Sequence, residues 1–169
     1  MALVGLFWIT EDCVYVGAEP VGAATGVRLT EEGVEALGLG QGRSWSWSQV
    51  RRIEVRDVAV RSAARRLVSM AFDNLVVAVT GDGELPPSYT VCVDATDGLV
   101  EVSVASAVTG GIYTPTEYEL SCALLTRLAD GSTAVDELLA WRRAQAADNT
   151  PSREDREALL RKWTGDDCH

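Results

Sequence analysis

Arg51, Arg52, Arg56, Arg61, Arg65 and Arg66 crowd into one stretch, where only Glu54 and Asp57 oppose them. That stretch carries +4 in a chain whose net charge is −10. Guanidinium forks hold phosphates and carboxylates through paired hydrogen bonds, so the cluster has the chemistry of a binder for anionic lipid headgroups or phosphorylated ligands. The competing reading is a solvated strand edge whose arginines balance the acidic remainder and discourage edge pairing. Strand alternation sends Arg51 and Arg52 to opposite faces, which works against one compact pocket.

Other reactive side chains are scattered. Cys13, Cys92, Cys122 and Cys168 form no CxxC pair. The first three lie in apolar periodic segments and read as small core hydrophobes. Cys168 and His169 are adjacent terminal residues, whereas structural zinc takes four ligands on a folded frame, so no metal is expected. Asp94-Ala95-Thr96-Asp97-Gly98 lacks the remaining ligands and closing glutamate of a calcium loop, and aspartate with glycine suits a hairpin turn. The single histidine is the last residue, which leaves no Ser–His or Cys–His relay to assemble within the fold. GxSxG, GxxxxGK[ST] and HExxH are all missing. These residues point away from an enzyme and require no cofactor. A small ligand-binding or carboxylate-dependent hydrolytic barrel stays open, because any two acids can meet in space.

The 169 residues, 47% hydrophobic and 24% charged, suffice for one core and an appendage. Fifteen basic against 25 acidic side chains make a surface ill suited to nucleic acid. No stretch approaches the ~20 apolar residues of a membrane span. Residues 1–9 are apolar but lack a basic flank and run into Thr10-Glu11-Asp12, so they do not read as a signal peptide and the chain reads as cytoplasmic.

The positioning elements follow from periodicity. Residues 5–17 predict a hairpin turning at Glu11-Asp12, with aromatic and β-branched residues on both arms. A second hairpin is expected from Gly26 to Leu37, with Gly33 supplying a positive φ at its turn. Trp45 and Trp47 alternate with serines, which places both indoles on one strand face. A polar break separates them from a strand over 50–60. Residues 61–73 read as either a short helix or a loop, and 75–79 as a buried strand. The paired prolines at 86 and 87 mark an exposed connection. Residues 90–93 and 99–108 form the clearest hairpin, with Val100, Val102 and Val104 on one face and Glu101 and Ser103 on the other.

The period then lengthens to 3.6. Thr114-Pro115-Thr116-Glu117 has the pattern of a capping box with proline at the first helical position. The helix runs to about residue 129, with Tyr118, Ser121, Cys122, Leu124, Leu125 and Leu128 as its apolar stripe. Thr133, with Asp136 at the reciprocal position, predicts the cap of a second helix ending near 147. Past the Asn149-Thr150-Pro151 linker, a charged helix places Leu159, Leu160 and Trp163 on one side. That side can dock on its own domain, on a second copy, or in a partner's groove.

The element order of many strands closed by one helix is similar to pleckstrin-homology-like domains. A narrower likeness lies in Val27-Arg28-Leu29-Thr30-Glu31-Glu32-Gly33-Val34 followed by Ser46-Trp47-Ser48-Gln49-Val50-Arg51-Arg52-Ile53-Glu54-Val55. It resembles the corner of bacterial pleckstrin-homology and GRAM-like domains, where a strand ends in tryptophan, turns through two polar residues, and re-enters the core with aliphatics. The expected fold is therefore mainly β with C-terminal helices (α+β), a bent antiparallel barrel or sandwich. The expected domain covers 1–130, capped by a helix over 117–129, with an extra packed helix in 131–147 and a linker and tail in 148–169. The resemblance implies a non-catalytic adaptor whose partner is another protein or a second copy, with anionic lipid as the alternative ligand.

Overall fold

The computed structural model describes residues 2–38, 42–60, 87–108, 112–146 and 149–166. Six short strands, β1 (Ala2–Val4), β2 (Phe7–Ile9), β3 (Val14–Val16), β4 (Gly26–Leu29), β5 (Gly33–Leu37) and β6 (Arg43–Ser46), pair in sequence order as an antiparallel meander. A second antiparallel sheet has the order β10 (Gly98–Ala105), β9 (Ser88–Ala95), β7 (Val50–Arg56). A two-residue parallel pairing joins β8 (Ala59–Val60) to β11 (Ile112–Tyr113). Three helices follow, α1 (Pro115–Asp130), α2 (Val135–Ala144) and α3 (Arg153–Thr164). The architecture is mixed α+β, mostly antiparallel, and among the described residues the sheets do not close into a barrel. The expected strand at 75–79, the ambiguous segment 61–73 and the connection up to Pro86 lie outside the described residues. No helix among the described residues is long and apolar enough to cross a membrane.

A further strand, β1, precedes the first arm of the expected N-terminal hairpin. Gly5, at φ +57°, turns the chain between β1 and β2, and a Cβ there would stand 2.1 Å from Ser121 Oγ. Leu6 N–H donates to that hydroxyl at 3.1 Å, and the hydroxyl donates to the Glu117 carbonyl at 2.6 Å. The sheet is thus fixed to the middle of α1.

Gly33 corrects another expectation. It does not have a positive φ. It pairs with Ser46, and a Cβ built on it would lie 1.8 Å from the Trp45 carbonyl oxygen, so glycine is required for close backbone approach.

Trp45 and Trp47 do not share a strand face. β6 ends at Ser46, and Trp47-Ser48-Gln49 is the corner at which the chain leaves the first sheet for the second. Val50 and Ile53 re-enter the core. The second sheet turns one face inward with Val91, Val93, Val102 and Val104, all fully buried. Asp97 in the β9–β10 turn accepts from Trp45 Nε1 at 2.9 Å and pairs with Arg43, fastening the turn to the edge of the other sheet. That is the work of the aspartate in the acidic turn.

The helix α1 starts as its sequence predicts, with Thr114 accepting from Glu117 N–H at 3.2 Å, and stops at Gly131 in the left-handed region. Its buried stripe is rotated toward Glu117, Leu120 and Ser121, leaving Tyr118 and Cys122 half-buried. Glu117 is tolerated inside because Arg156 Nε donates to it at 2.6 Å. The helix α2 is shorter than expected, and its N-cap is Ala134 with no side-chain cap. The Thr133 hydroxyl instead donates to the Trp163 carbonyl at 2.7 Å. A full capping box between Ser152 and Asp155 opens α3.

Gly5→Ala is expected to lower unfolding free energy by about 2–3 kcal/mol, combining left-handed strain with the lost Leu6–Ser121 bond. Gly131→Ala, at φ +84° with nothing near its Cβ, should cost only about 1 kcal/mol. Urea midpoints of the two variants check the difference.

Candidate functional site

The arginine cluster divides. Arg61, Arg65 and Arg66 lie outside the described residues. Arg51 is the extra residue of a β-bulge between Val50 and Arg52, so strict alternation fails there and both arginines are exposed. Arg52 pairs with Glu54 at 3.4 Å and Arg56 with Glu101 of β10 at 3.0 Å. Those pairs spread over the outer face of the second sheet. Cys92 lies on that face between Glu54 and Glu101 in register. It is buried, as expected of an apolar thiol, and that burial pushes its pKa up. Cys13 and Cys122 are half-buried, correcting the expectation of core cysteines.

The tail takes the first of its three alternatives and docks on its own domain. Leu160 and Trp163 are buried, the latter edge-on to Trp141 with ring centroids 5.7 Å apart. Leu159 is half-buried and lines an open cavity of about 380 Å³ with Trp141, Pro151 and Lys162. A second cavity, about 390 Å³, lies between β7 and α1, walled by Ile53, Val55, Tyr118, Cys122 and Leu125.

The largest of the three described cavities, about 440 Å³, is built where four turns converge. The β4–β5 turn brings Glu31, the sheet-switching corner brings Trp47 and Ser48, the end of α1 brings Leu128 to Gly131, and the start of α2 brings Thr133 to Asp136. Trp47 Nε1 donates to the Thr30 carbonyl at 2.9 Å, which pins the indole in place. Glu31, Asp130 and Asp136 supply three carboxylates, and no basic side chain lines the cavity. The Asp130 carboxyl accepts from Ser132 N–H at 2.8 Å, and this bonding to Ser132, aided by Arg127, holds it below the usual carboxylate range. An aromatic wall with ionised acids around it attracts cations. None of the three cavities is lined by an arginine.

Sequence reading missed this cleft. Trp47 was visible as a corner residue, but the acids that meet it stand 16 residues before it and more than 80 after it. No local pattern links them. No protein-family model matches this chain, and no curated protein or solved structure does either.

Arg142 is a further anomaly on α2. Its side chain is buried and its Nε has no hydrogen-bond partner. A buried guanidinium with no ion pair among the described residues contributes through its aliphatic stem and loses through desolvation. Arg142→Met should therefore leave the denaturant midpoint unchanged or raise stability by about 1–3 kcal/mol. A drop in the midpoint would show that the charge is needed.

Proposed function

We propose that this chain is a non-catalytic cytoplasmic adaptor of pleckstrin-homology-like fold whose Trp47 cleft takes up a short basic segment of another protein. The sheet-switching corner at Trp47-Ser48-Gln49 and the helix α1 behind it support the fold reading. The cleft itself carries the functional reading. It combines a pinned indole, an apolar floor from Leu128 and Val135, and three carboxylates, with no base among the lining residues and Arg127 close to Asp130. An arginine or lysine placed there gains the ring face and a charge-assisted hydrogen bond together.

The anionic-ligand alternative has weaker support from the described arginines. Arg52 and Arg56 are engaged with acids, and neither lines a cavity. Exposed ion pairs of this kind are worth only ~0–1 kcal/mol, but they keep an anion from meeting a preformed site. Carboxylate-dependent hydrolysis needs one acid held protonated near neutrality. The shift at Asp130 runs in the opposite direction.

Fluorescence anisotropy with a labelled Arg-Gly repeat peptide and its Glu-Gly counterpart tests the proposal. The basic peptide should bind, more weakly at ~0.15 M salt than in dilute buffer. The acidic peptide should not. A Glu31→Gln/Asp136→Asn double variant should weaken binding at least about ten-fold, the loss of charge-assisted bonds. No binding in dilute buffer, or binding indifferent to the double variant, would overturn the reading. Sedimentation with anionic vesicles in dilute buffer would transfer support to the alternative.

A further inference from the structure

Thr133 is placed between two helix ends that both need its hydroxyl. The sequence around it, Thr133-Ala134-Val135-Asp136, is a capping pattern for α2, yet the hydroxyl does not cap that helix. It donates to Trp163 O, one of the last carbonyls of α3, and accepts from Arg127 Nε at 3.2 Å. Thr133 is itself buried and belongs to the wall of the Trp47 cleft. The first turn of α2 pays with an N-terminus that no side chain caps.

The helix α3 is held on by specific side chains. Its buried residues are Leu160, Trp163 and Thr164, on an otherwise charged helix. Further ties are the edge-on Trp141–Trp163 contact, the Arg156–Glu117 pair and the Thr133–Trp163 bond. The connection back to α2 runs through Gln145 to Ser152, which is outside either helix.

From this arrangement we infer that α3 is a latch whose docking is read out at the cleft through Thr133. With α3 docked, the hydroxyl serves Trp163 O, and α2 begins at Val135. With α3 lifted, the same hydroxyl turns to the free N–H groups of Val135 and Asp136 and becomes the N-cap that the sequence specifies. The helix then starts one residue earlier, and the Asp136 carboxylate on the cleft wall moves with it. Because such coupling is reciprocal, a ligand that favours one position of Asp136 shifts the docking of α3. The clause about ligand rests on the cleft reading, whereas the Thr133 exchange stands without it.

Amide hydrogen exchange on the full chain tests the device without any ligand. Leu160→Asp places a charge at a fully buried position and should lift α3. Exchange at Val135 or Asp136 should then slow by about five-fold, the size of a threonine cap. In Leu160→Asp combined with Thr133→Val, that slowing should vanish. Unchanged or faster exchange there in a folded Leu160→Asp protein overturns the inference, as does slowing that survives the double variant. If Leu160→Asp does not fold, Thr133→Val alone decides. It should speed exchange across residues 153–164 several-fold and leave the first turn of α2 unaltered, and an unchanged α3 overturns the latch. Failure of the Arg-Gly peptide to bind the parent protein would sink the cleft reading and leave the exchange result standing.

Discussion

The hydroxyl of Ser121 is the point on which the packing turns. It accepts from Leu6 N–H and donates to the Glu117 carbonyl, so one buried oxygen satisfies a backbone donor of the β1–β2 turn from within α1. A turn in the core must have its polar groups met somewhere, since water is excluded. Gly5 leaves the space for this approach, and Tyr113 and Tyr89 close the region with an edge-on ring contact at 6.3 Å. One turn back on α1, Glu117 accepts from Arg156 of α3. The first sheet and the last helix are therefore fixed to the same two turns of α1. Placement of the cleft is a consequence, because α1 must end where Asp130 and Gly131 meet the Trp47 corner.

Asp97 makes the complementary tie at the far end. It takes Trp45 Nε1 and Arg43 together, and the Arg43 guanidinium lies 5.4 Å from the Trp45 ring centre. The chain between these partners includes the corner at which it changes sheets. An aspartate that the sequence offers as a faint metal ligand thus serves to hold a hairpin turn against an edge strand. With the β9–β10 turn tied to β6, Trp47 stands at the corner with its N–H engaged by the Thr30 carbonyl. Its ring is a fixed wall and not a mobile anchor.

Local patterns were legible where the backbone alone decides. The β2–β3, β4–β5 and β9–β10 hairpins, the start of α1 at Pro115 and its end at Gly131 all follow from turn, cap and alternation chemistry. Misreadings arose where a distant group overrode a local preference. Gly33 is needed for the Trp45 carbonyl and not for its own φ. Thr133 leaves its cap for Trp163, thirty residues away. Arg51 and Arg52 escape alternation through a bulge. The cleft was illegible for the same reason, since Glu31, Trp47, Asp130 and Asp136 are brought together only by sheet switching and helix packing. The tail was half legible: its apolar side was plain, but the groove that receives it is built by α1, which no pattern in residues 153–164 describes.

Charge distribution links these observations to recognition. The arginine-rich stretch reads as a positive field, yet on β7 Arg52 and Arg56 meet Glu54 and Glu101 within a few ångströms. Around Trp47 three carboxylates, carried by three separate turns, line a cavity that has no basic side chain in its wall. Carboxylates from different turns do not share one solvated loop. Of the described arginines on β7, Arg52 and Arg56 are paired with acids, whereas the three acids around Trp47 line a shared cavity with an indole wall.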